Sequence, residues 1–68
     1  MMEILKRYIL NFYKTHDKHA SMNFENVMKD LQFDRREDLN TFLLALIDQG
    51  FIECTFTADN VVYTFCLK

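Results

Sequence analysis

The sequence predicts a mainly α domain, three helices closed by a small antiparallel β-hairpin, in a single unit over residues 1–68. Three observations carry this. Apolar residues recur at i, i+3, i+4 and i+7 in three separate segments, the period of a helix face. The only glycine, Gly50, directly follows the last of these segments, where a left-handed residue ends a helix without a Cβ clash. Beyond it the chain alternates apolar and polar residues, the period of a half-buried strand.

Ile4, Leu5, Tyr8, Ile9 and Phe12 share one face, which predicts an amphipathic first helix from residue 3 to about residue 15. From Thr15 to Asn23 the period is lost, and the segment reads as a loop. Asn23 is a good N-cap, because its side-chain oxygen can accept from the free N–H groups of the next turn. Glu25 follows in the first turn, where the helix dipole favours a carboxylate. Phe24, Val27, Met28 and Leu31 form the inward stripe of the second helix. Gln32-Phe33-Asp34 is a short turn, with Phe33 as a core plug and Asp34 as the next cap. The third helix is expected from about Arg35 to Gln49, with Leu39, Phe42, Leu43, Leu46 and Ile47 inward. Phe51 folds back on Leu46 in a Schellman closure.

The C-terminal segment selects its own register. A two-residue type I′ turn at Asp59-Asn60 pairs Phe56 with Tyr63, Cys54 with Phe65 and Ile52 with Leu67, all on one apolar face. Glu53, Thr55, Thr57, Val62, Thr64, Cys66 and Lys68 then occupy the opposite face. A slip of one residue would mix the two sets. Cys54 falls inside and Cys66 outside, so they do not bridge, as suits a reducing compartment.

A chain of 68 residues buries only about 60% of its unfolded surface, so it needs a dense core. Half of its residues are hydrophobic, with seven Phe and three Tyr. No apolar run approaches the roughly 20 residues that span a bilayer, so no membrane partner is expected. Charges interleaved in Met-Met-Glu-Ile-Leu-Lys-Arg exclude a secretory signal, and the expected location is cytoplasmic. The net charge is −2. Residues 1–21 set Lys6, Arg7, Lys14 and Lys18 against only Glu3 and Asp17, whereas acids outnumber bases in residues 22–68.

The order helix, helix, helix, hairpin, with a short turn between the second and third helices, resembles the winged helix-turn-helix superfamily. Phe24-Glu-Asn-Val-Met-Lys-Asp-Leu31 stands where its second helix stands, and Leu39 to Ile52 resembles its recognition helix and strand entry. Asp48-Gln-Gly-Phe-Ile52 is similar to the acidic-polar-Gly-apolar-apolar ending common at that point. The resemblance covers nearly the whole chain. It implies a third helix that enters the DNA major groove with its N-terminal residues on base edges.

At those positions stand Arg35, Arg36, Asn40 and Thr41, the candidate DNA-binding residues. Arg can bond guanine and Asn adenine with two hydrogen bonds each. The competing reading makes the two arginines solvated turn residues beside Asp34, Glu37 and Asp38. Further along, the outer face of the helix displays Glu37, Thr41, Leu44, Ala45 and Asp48, and carboxylates repel phosphates. Leu10, Tyr13, Leu44, Ala45 and Val62 are the candidate contacts with a protein partner or a second copy in a homodimer. His16, Asp17 and His19 lack the further convergent ligands of a zinc site and read as a solvated loop. No nucleophile-base pair or Gly-rich phosphate loop is present, so neither enzyme activity, cofactor, metal nor small-molecule substrate is expected. Two functions follow: a small DNA-binding regulator of transcription or replication, of phage, viral or plasmid type, or a winged helix used as a protein-interaction module.

Overall fold

The computed structural model describes residues 1–68. Its elements are α1 (Met2–Thr15), β1 (Met22–Asn23), α2 (Phe24–Asp30), α3 (Arg36–Asp48), β2 (Ile52–Phe56) and β3 (Val62–Leu67). The architecture is α+β: three helices and one three-stranded antiparallel sheet of order β1-β3-β2.

The strand β1 corrects the expectation of a two-stranded hairpin. Met22 pairs with Phe65 and Asn23 with Thr64. Two residues are too short for a period-2 pattern to show in sequence. Met22 is buried, and Asn23 has a double role, since its side chain also accepts the Glu25 N–H at 2.8 Å as the cap of α2.

Both α2 and α3 end in Schellman closures. After α3 the Phe51 N–H donates to the Leu46 carbonyl at 3.0 Å and the Gly50 N–H to Ile47 at 2.9 Å, with Gly50 at φ +74°. After α2 the Phe33 N–H donates to Met28 at 2.9 Å and the Gln32 N–H to Lys29 at 3.2 Å, with Gln32 at φ +57°. These closures turn Phe33 and Phe51 back against the core. Arg35, rather than Asp34, is the cap residue of α3, and no side chain caps that end. Glu37 and Asp38 in the first turn complement the helix dipole instead.

The hairpin departs from its expected form at the tip and recovers lower down. Its loop is Ala58-Asp59-Asn60, with Asn60 at φ +63°. The Thr57 N–H donates to the Val61 carbonyl at 2.8 Å and the Asn60 N–H to Thr57 at 3.0 Å. Thr57 Oγ1 accepts from the Asp59 and Val61 N–H groups, each at 3.3 Å. A three-residue loop of this kind moves the pairing by one residue relative to a two-residue turn. Phe56 therefore pairs with Val62 and not with Tyr63. An irregularity at Tyr63 then restores the expected pairs, Thr55 with Thr64, Cys54 with Phe65 and Ile52 with Leu67.

That bulge exchanges Val62 and Tyr63 between the two faces, and Phe56 stands exposed at the end of β2. Val62, expected on the outer face as an interface residue, is buried at 1% exposure. Tyr63 and Phe56, expected in the core, are 55% and 49% exposed. Ile4 is also outside, because the buried stripe of α1 runs through Leu5 and Ile9. One continuous core joins these two to Met22, Phe24, Val27, Leu39, Leu43, Leu46, Ile52, Val62 and Phe65. Tyr8, Phe12, Met28, Leu31, Phe33, Phe42, Ile47 and Cys54 pack around it, half-buried. No helix is long and apolar enough to cross a membrane.

Candidate functional site

Arg36, Asn40 and Thr41 line one open cleft of about 240 Å³, together with Glu37 and Val61. Their helical spacing brings them to one side of α3, and the Thr57–Val61 closure of the hairpin sets Val61 against them. Arg35 lies outside this cleft, in a neighbouring depression lined by Phe33, Asp34, Asp38, Thr41 and Phe42. Three of the four residues expected to contact DNA are thus assembled.

Their polar groups are largely engaged within the chain. The Arg36 guanidinium bonds the Glu25 carboxylate, and its centre sits 5.0 Å from the ring centroid of Phe24. Arg35 Nε donates to Glu37 Oε2 at 3.2 Å. The Asn40 carbonyl oxygen accepts the Val62 N–H at 2.9 Å, which ties α3 to the start of β3. The Thr41 hydroxyl donates to the Glu37 carbonyl at 2.8 Å. Asp34, Asp38 and Asp48 form no ion pair. The charge of this face is net negative, and each of its two arginines sits beside a carboxylate.

The candidate contact residues separate. Leu44 on α3 and Leu10 on α1 are exposed, at 42% and 46%. Ala45 is half-buried. Tyr13 is half-buried and its hydroxyl donates to the Ala20 carbonyl, fastening the end of α1 to the segment that leads into β1. Burial raises its pKa above the ordinary 10.0. Tyr8 makes a second such tie, donating to Asp30 at the end of α2, and burial followed by that carboxylate pushes its pKa up to about 12. Burial likewise raises the Cys54 thiol, and both cysteines are free.

The His16-Asp17-His19 loop is held by its own contacts. The His16 ring stacks on Phe12 at 4.0 Å and its Nδ1 lies 2.8 Å from the Phe12 carbonyl. Asp17 accepts the His19 N–H at 2.8 Å. No three His, Cys, Asp or Glu side chains are grouped to hold a metal ion.

Two members of the α3 site were missed in sequence. Glu25, eleven residues from Arg36, was legible as a first-turn acid but not as a through-space partner. Val61 enters the cleft as the residue that closes the hairpin loop against Thr57. Comparison with protein-family models, curated proteins and solved structures finds no match.

Proposed function

We propose that this chain is a winged-helix module that works by docking a protein partner on the outer face of α3, with no chemistry of its own. The three helices, the short α2–α3 turn and the C-terminal hairpin support the winged-helix reading. One observation carries the choice of partner: the two arginines are bound to Glu25 and Glu37, and the Asn40 oxygen is bound to the Val62 N–H. An asparagine that reads adenine accepts and donates at once, and its bond to Val62 holds this one turned toward the hairpin. A phosphate approaching this face meets Glu37, Asp38 and Asp48 with no unpaired cation on α3 to offset them. Leu44, exposed amid these acids, supplies the apolar anchor that a protein contact uses.

A second reading, a DNA-binding regulator acting as a homodimer, is favoured by the convergence of Arg36, Asn40 and Thr41 in one cleft at the start of α3. Two variants separate the readings. Affinity capture from the producing cell should lose its specific partner with Leu44→Asp and keep it with Arg35→Ala/Arg36→Ala. A labelled duplex bound by the wild type and released by the arginine double variant would overturn the protein-docking reading.

A further inference from the structure

The order β1-β3-β2 leaves β2 at an open edge of the sheet. The bonds at its two ends fix which backbone groups are free. The Thr57 N–H donates to Val61 and the Phe51 carbonyl accepts from Lys68, so the odd-numbered residues of this strand turn their polar groups toward β3. Those of Cys54 and Phe56 point outward. Strand edges are usually protected by lysine, proline or a covering element. Ile52-Glu-Cys-Thr-Phe56 has neither of those residues, and Phe56 at its end is half exposed.

We propose that this edge pairs with the same edge of a second copy, antiparallel about a two-fold axis through Thr55. Outward-facing groups within β2 make more than one hydrogen-bonded pair only when the axis passes through Glu53, Cys54 or Thr55. The first register sets Glu53 against its own copy, a like-charge pair that destabilises a sheet. The first two both need the backbone of Ile52, which is covered by its own chain at 1% exposure. The third uses accessible residues alone. Cys54 of each copy exchanges N–H···O bonds with Phe56 of the other, and Glu53 faces the uncharged Thr57. The exposed Phe56 ring then lies beside Cys54 of the second copy, and Thr55 faces Thr55 in the close, non-hydrogen-bonded spacing. This surface is separate from the outer face of α3.

Analytical ultracentrifugation of charge variants tests the axis directly. The wild type should sediment as a concentration-dependent dimer. Thr55→Glu and Thr55→Lys should each be monomeric, because each sets like charges together, and their equimolar mixture should recover the dimer. Phe56→Pro removes an outward N–H without touching the β3 ladder, and should weaken the dimer roughly tenfold or more. Circular dichroism confirms that each variant is folded. A wild type that stays monomeric, Thr55 variants that associate like the wild type, or a mixture that stays monomeric would each overturn the proposal. Thr55→Lys alone strengthening the dimer would place it opposite Glu53, on the Cys54 axis, and would overturn it equally. Leu44 is unchanged in all these proteins, so failure here leaves partner capture on α3 standing.

Discussion

Gly50 and Gln32 occupy equivalent places after two helices, both at positive φ, and only one of them is a glycine. Left-handed backbone costs an ordinary side chain roughly 1–2 kcal/mol, and a new glycine returns part of that by loosening the unfolded chain. Gln32→Gly should therefore raise stability by about 0.5–1 kcal/mol in urea unfolding. Gly50→Ala should lower it by about 1 kcal/mol, through the backbone alone, because a Cβ there meets nothing within 4 Å. The contrast explains which helix end could be read. Glycine announces a left-handed residue by its chemistry, whereas Gln32 is held at positive φ by the Phe33 and Gln32 N–H bonds back to α2. Tyr8 gives a second prediction at this scale. Its phenol ionises near 10.0 in the unfolded chain and near 12 in the fold. The folded state holds the proton more tightly, so the stabilisation is complete below pH 10 and is lost as pH rises through 12. The urea midpoint should fall between about pH 10 and about pH 12, and Tyr8→Phe should fall less.

Among the elements, the junction of α3 with the hairpin rests on one side chain. Asn40 satisfies the N–H of Val62, a residue 1% exposed. Removing a partner from a buried donor costs about 1–3 kcal/mol, so Asn40→Ala should lower the melting temperature, with Asn40→Asp, which keeps an acceptor, losing less. The helices were legible element by element because each repeats its apolar spacing over two or more turns. The lower hairpin register was legible as well, since alternation from Ile52 to Cys54 and from Phe65 to Leu67 admits one pairing. The tip was not. Asp59-Asn60 serves a two-residue or a three-residue loop equally well, and the choice rests on the Thr57 hydroxyl and on Asn60 alone taking positive φ. That choice, with the bulge at Tyr63, exchanges Val62 and Tyr63 between core and surface. It moved Val62 out of the set of contact residues.

Over the whole molecule, the separation of charge was visible in the sequence, with bases gathered in α1 and the loop after it and acids in the remainder. The assembly of Arg36, Asn40 and Thr41 at the start of α3 was visible too, because spacing within a helix fixes a face. Their engagement was not. Glu25 meets Arg36 through the packing of α2 on α3, and Asn40 meets Val62 only once the hairpin is folded. These long-range pairs change the reading of the face from a reader of bases to an acidic, apolar-centred surface. The claim that this surface excludes nucleic acid is tested most directly by titrating a labelled random-sequence duplex with the wild-type protein at about 50 and about 200 mM salt. No saturable binding should appear at either concentration. Saturable binding at the lower salt that weakens steeply at the higher, the signature of counterion release from phosphates, would contradict it.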